Sequence, residues 1–173
     1  MTFWRRLLRG RRDETQMDAL YGAVVAAGRD KDWYLRGGVP DTVDGRFDMI
    51  AAVLALVLLR LEAEGEACRD ATVLLAEKFI DDMNGNLRQI GIGDLVVGKH
   101  VTRMMGALGG RLGAFRDAAA DGDLLTPVRR NIFRENPPSQ EALAFVVERL
   151  ARFRDGLNTA SSEALIAGEL PRL

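Results

Sequence analysis

His100 and Met104 lie four residues apart, the spacing that puts two iron ligands on neighbouring helical turns. Opposite axial positions on a haem need ligands from two sides, whereas residues one turn apart point from the same side. A hydrogen-bonded histidine is therefore the competing reading. Gly93-Asp94-Leu95-Val96-Val97-Gly98-Lys99 has the G-x-x-x-x-G-K spacing of a phosphate loop. Such a loop needs small residues around its amides and a strand before it. Here Asp, Leu, Val and Val fill the loop, His100 stands where a hydroxyl would hold magnesium, and the preceding segment reads as helix. An interhelix turn is the better reading. Asp82-Met83-Asn84-Gly85-Asn86 alternates oxygen ligands as a calcium loop does, but Leu87 falls where glycine is required and Gly93 where the closing acid belongs. What remains is an acidic helical face of Glu77, Asp81 and Asp82. Two neighbouring carboxylates can raise each other's pKa for acid–base work, or form a solvated or arginine-paired surface. No metal site or cofactor is expected.

The elements that carry these residues all read as helices. Met49 to Leu59 is an unbroken apolar run between Asp48 and Arg60; at 1.5 Å per residue it rises about 16 Å, half of a bilayer core. It predicts a helix over about 44–64, apolar all round and buried at the centre of a bundle, capped from the Asp41 to Asp44 segment and ended at Gly65. A first helix is expected over Asp13–Ala27 with Gly28 as its stop, and a short one over Asp30–Arg36. A fourth, Arg69–Ile90, puts Val73, Ala76, Ile80 and Leu87 on one face. A fifth runs from Asp94 to Ala120 with Val97, Val101, Met104, Leu108, Leu112 and Phe115 inward. After Pro127 the chain reads as a looser stretch to Asn136-Pro137-Pro138. Ser139 then caps a helix to Arg154 with Leu143, Val146, Val147, Leu150 and Phe153 inward, and a last helix covers Ser161–Ala167 with Gly168 behind it. No run alternates as a strand would, and short connections suit antiparallel neighbours. The expectation is an all-α single-domain helical bundle over residues 13–173, with 135–173 as a candidate C-terminal appendage.

The fifth helix is unusual in holding Gly98, Gly106, Gly109, Gly110 and Gly113. Each interior glycine weakens a helix by about 1 kcal/mol relative to alanine, so the set needs compensation. G-x-x-x-G spacing lets another backbone come close. That backbone either belongs to the protein's own bundle or to a partner helix laid in a groove, with Met104 and Met105 as adaptable contacts.

Charge is unevenly distributed along the chain. The 173 residues carry 24 basic and 25 acidic groups, a net charge of −1, which argues against a nucleic-acid binder. Five of the arginines (Arg5, Arg6, Arg9, Arg11 and Arg12) lie within residues 1–12 beside Phe3, Trp4, Leu7 and Leu8, with no acid among them. This basic amphipathic arm suits an anionic membrane surface. No apolar h-region follows it, so neither a secretory nor a twin-arginine signal is expected, and it is short for a transit peptide. The single Cys68 allows no internal disulfide and suits a reducing compartment.

Several strings are shared, in order and spacing, with one family. Asp30-Lys31-Asp32-Trp33-Tyr34, Pro40-Asp41-Thr42-Val43-Asp44-Gly45-Arg46-Phe47-Asp48, Phe79-Ile80-Asp81-Asp82-Met83 and Asn86-Leu87-Arg88-Gln89-Ile90-Gly91-Ile92-Gly93-Asp94, followed by Val97-Gly98-Lys99, resemble the ubiquinol–cytochrome c chaperone family over about residues 17–150. The resemblance implies a helical, non-enzymatic assembly factor of the respiratory cytochrome bc complex (complex III). Its partner would be newly made cytochrome b or another bc-complex subunit, with a small companion protein in the mitochondrial relatives. The short segment before the first helix suits a bacterial cytoplasmic protein, peripheral at the cytoplasmic face of the inner membrane. The resemblance offers Trp33, Tyr34, Arg46, Asp81, Asp82, Asn86, Arg88, Asp94 and Lys99 as a candidate client surface, with Asp44 and Asp94 doubling as helix caps. Two other readings of the same residues stand beside it. One is a peripheral membrane enzyme using Asp81, Asp82 and His100 on a quinone or lipid, and the other is a haem carrier using His100.

Overall fold

The computed structural model describes residues 17–89, 106–118, 122–134 and 136–173; of Asn84 and residues 86–89 only the backbone is described. Every regular element among these residues is helical, as expected. In chain order they are α1 (17–28), α2 (Lys31–Leu35), α3 (Val43–Glu62), a 3-10 turn (Gly65–Cys68), α4 (Arg69–Gln89), α5 (106–118), α6 (Leu125–Val128) running into a π turn (Arg129–Phe133), α7 (Gln140–Thr159) and α8 (Ser162–Ile166).

The apolar run forms α3, and residues 48–58 of it are buried on every side. A helix without a polar face can exist in water only if other helices cover it all round, and α4, α7 and the π turn do so. Its N-cap is Thr42, whose hydroxyl accepts the Gly45 amide at 3.1 Å. Asp44 lies inside the first turn instead of capping it, where its charge complements the helix dipole. Gly45 is required by crowding: a Cβ there would stand 2.0 Å from the Pro40 carbonyl oxygen.

Gly28 also works by closeness, and not as the expected stop. It is the last residue of α1, and a Cβ on it would meet the Ile50 backbone at 2.7 Å, so α1 crosses α3 nearly backbone to backbone. The carbonyls left open at the end of α1 are closed from α2. The Trp33 indole N–H donates to the Ala27 oxygen at 2.8 Å and the Tyr34 hydroxyl to the Gly28 oxygen at 2.9 Å.

Three segments depart from the sequence expectation. The buried face of α4 is Leu75, Phe79 and Met83, and Val73 is 52% exposed. The apolar stripe is broad enough that Ala76 and Ile80 flank the core at its edge. The stretch after Pro127 is not loose. Pro127 sits in the first turn of α6, where its missing N–H costs nothing, and Val128, Ile132 and Phe133 anchor the π turn in the core. Finally, α7 continues past Arg154 to Thr159. Ser139 caps it as expected, accepting the Ala142 amide at 3.2 Å.

Val146, Leu150, Phe153 and Leu157 of α7 and Leu165 of α8 enter the same buried cluster as α3. Two arginines tie α7 to the rest. Arg60 of α3 donates to the Leu157 and Ala160 carbonyls at 3.0 Å each, placing a cation on the C-terminal end of α7. Arg149 is nearly buried and stacks 4.5 Å from the Trp33 ring while pairing with Asp30 at 3.1 Å. Asp30 is also the N-cap of α2.

Burial alone would raise the Asp30 carboxyl, but the Arg149 hydrogen bond and the Asp32 amide hold it below the usual range. A depressed carboxylate stabilises above its unfolded pKa, and the gain is lost as pH falls through the folded value. Asn caps a helix as well as Asp, so Asp30→Asn isolates the charge. It should lower urea stability by about 1 kcal/mol at neutral pH, allowing for the partial solvent exposure of Asp30. The difference should vanish below the ordinary carboxylate range.

Candidate functional site

Asp48 stands at the edge of the fully buried part of α3, with 2% of its surface exposed. An ionised carboxylate in such a place needs matched donors. On α5, Leu108, Arg111, Phe115 and Ala118 turn inward together, which brings a guanidinium onto the apolar face of that helix. One Arg111 Nη donates to Asp48 Oδ1 and the other to the Ala107 carbonyl at 3.3 Å, and the guanidinium lies 5.3 Å from the Phe47 ring. Arg134, at the end of the π turn, donates to the same Asp48 oxygen at 2.6 Å. Burial pushes the Asp48 carboxyl up and the Arg111 guanidinium down, and the opposite charges resist both shifts.

Two features of this cluster are out of the ordinary. Arg134 has φ +50°, the one non-glycine residue in the left-handed range among those described, a conformation that costs on the order of 1 kcal/mol or more. The Nε of Arg111 is buried and has no hydrogen-bond partner.

Beside the cluster, α5 and the π turn enclose an open cleft of about 530 Å³. Its floor is Ala107, Gly110, Gly113 and Ala114, and its wall carries Arg111, Arg130 and Arg134, with Asp117 at the margin. A Cβ built on Gly106, Gly109, Gly110 or Gly113 would meet nothing within 4 Å. Among the described residues, then, nothing packs closely against these glycines.

The residues singled out from sequence fall in different places. Trp33 is fully buried and its indole bonds to α1, so it is core and not client surface. Tyr34 is half-buried; Arg46 is exposed, pairs with Asp41 at 2.6 Å and lies 6.0 Å from the Tyr34 ring. Asp81 is exposed on α4, while Asp82 accepts the Tyr21 hydroxyl at 2.7 Å, tying α4 to α1. Burial, then that bond, raises the Tyr21 phenol and keeps it neutral. Cys68 is buried instead of lying among the charges that flank it in sequence. Asn86 and Arg88 are on α4, their side chains outside the description. Asp94, Lys99, His100, Met104 and Met105, and the arm with Trp4, Arg5, Arg6, Arg9, Arg11 and Arg12, lie outside the described residues. Asp48, Arg111 and Arg134 were missed. The available signal was an arginine three residues from Leu108 and four from Phe115, on the face assigned to the core.

The whole is an all-α fold built around one buried helix, with an open small-residue groove on its flank. The chain belongs to the ubiquinol-cytochrome C chaperone family, which matches residues 35–172. A crystal structure of the Cbp3 homolog from Brucella abortus is similar to it with a TM-score of 0.86 and 30% sequence identity, over 100% of this chain and 97% of that one. No curated protein matches.

Removing one partner of a buried pair leaves the other charge uncompensated. Asp48→Ala should therefore cost about 3–5 kcal/mol in urea unfolding. The double variant Asp48→Leu/Arg111→Met, which removes both charges, should recover most of that loss.

Proposed function

We propose that this chain is a non-enzymatic assembly chaperone of respiratory complex III that binds newly made cytochrome b, or another subunit of that complex, until its partners arrive. The observation that carries the reading is the family match over residues 35–172, together with a fold shared end to end with the Brucella abortus Cbp3 homolog. The small-residue cleft on α5 supports it, because a chaperone needs a surface for its client, and the described residues leave this one open. Among the described residues, Arg46 and Asp81 are the exposed members of the client surface offered by sequence, and both are retained as contacts. Arg88, Asp94, Lys99, Met104 and Met105 extend that surface in the proposal.

The basic arm, residues 1–12, brings the protein to the anionic cytoplasmic face of a bacterial inner membrane, where its client is inserted. No helix among the described residues is long and apolar enough to cross a membrane. A small companion protein remains part of the proposal.

Deleting the gene should abolish assembled complex III while leaving the transcripts of its subunits unchanged, and cytochrome b should co-purify with the tagged chain. Normal complex III in the deletion strain overturns the reading. The arm makes its own demand: the full chain should sediment with anionic vesicles and not neutral ones, and lose this when its five arginines are replaced or salt is raised.

A further inference from the structure

The cleft between α5 and the π turn has a chemistry of its own. Its floor presents no side chain larger than a methyl at Ala107, Gly110, Gly113 and Ala114. From Ala107 through Gly110 to Ala114 this floor extends about 10 Å along α5, enough for roughly two turns of a second helix at backbone distance. Its wall is cationic. Arg111 and Arg134 share the single charge of Asp48, and Arg130 and Asp117 also line the site, which leaves one positive charge in surplus.

Two of these guanidiniums have bonding capacity to spare. Arg130 is exposed and has no ion-pair partner among the described residues. Arg111 is 6% exposed and its Nε has no acceptor, a deficit of the kind that normally marks a missing group. Arg134, half exposed and joined to Asp48 through one bond, can turn outward and open the way to Arg111.

We infer that this cleft binds an acidic helical segment of a partner polypeptide, its backbone on the small residues Ala107, Gly110 and Ala114 of α5 and a carboxylate side chain on the Arg111, Arg130 and Arg134 wall. The inference rests on the chaperone reading in taking a polypeptide as the occupant. The length of bare helix favours a polypeptide over a free anion, since a small anion needs the arginines but not the stripe. The carboxylate supplies the acceptor that Arg111 lacks and the counter-charge that Arg130 lacks. Asp117 at the margin repels a segment whose acid is placed on the wrong side, which fixes orientation.

The test is a fluorescence anisotropy titration of the full chain with a labelled alanine-based peptide of about 15 residues, long enough to form a helix. One version carries Glu at i and i+4, the other Gln. The Glu peptide should bind about tenfold tighter than the Gln peptide, the scale of one charge-assisted hydrogen bond. Gly110→Leu, which fills the floor, and Arg130→Gln, which removes a wall charge, should each weaken Glu-peptide binding about tenfold with unchanged circular dichroism. Neither substitution meets a neighbour or breaks an ion pair among the described residues, so both variants should fold.

Equal affinity for the two peptides, no saturable binding of the Glu peptide, or native affinity in both variants overturns the inference. So does inorganic phosphate binding more tightly than the Glu peptide, which would assign the cleft to a small anion. Complementing the deletion strain with Gly110→Leu separates this from the chaperone reading. Full rescue by that variant sinks the groove and leaves the chaperone standing. Normal complex III in the deletion strain itself sinks the chaperone reading, while the titration still decides the groove.

Discussion

One carboxylate oxygen organises this fold. Asp48 Oδ1 receives guanidinium donors from Arg111 and Arg134, which lie 63 and 86 residues further along the chain. Apolar packing has little direction, and a helix as uniformly greasy as α3 could accept neighbours in many rotations and registers. A charge at the edge of its buried stretch cannot be satisfied in many ways. It requires α5 to turn its Arg111 face inward, and it requires the turn after Phe133 to bend sharply enough for Arg134 to reach back. Once those two conditions are met, α5 and the π turn stand side by side with the cleft between them.

The same logic repeats on a smaller scale around α7. Arg149 brings a cation into the interior and is matched by Asp30, by the face of Trp33 and by Phe145 at 5.7 Å. Arg60 finds the last carbonyls of α7, which a helix end always leaves open. In each case an arginine from one helix reaches polar groups at the end of another. The apolar core supplies cohesion, and the buried polar contacts specify which helix lies where. The glycines of α5 show the reverse. Gly28 and Gly45 are forced by a close neighbour, whereas those of α5 have none among the described residues.

Sequence patterns revealed what depends on local physics. The all-apolar run marked the central helix, Ser139 marked the start of α7, and Gly168, at φ +88°, marked the end of α8. They failed where a decision belongs to the tertiary structure. Trp33 looks like a surface aromatic beside charges, yet two helices close over it. Val73 and Leu75 are equally apolar, and only the placement of α3 decides which is covered. The Asp48 cluster was the hardest to foresee, because its members are far apart in sequence and nothing local pairs them. The glycine stripe was visible in the sequence, but whether its partner lay inside or outside the fold was not.

Cys68 closes the 3-10 turn between α3 and α4, where it is 3% exposed and its carbonyl accepts the Thr72 hydroxyl at 2.9 Å. A thiol so placed meets a reagent only when the junction of those two helices parts. The single native sulfhydryl is thus a built-in reporter of breathing at the junction of α3 and α4. Its alkylation rate measures how often α3 and α4 separate, and an engineered second cysteine on the surface can be labelled first without confusion between the two.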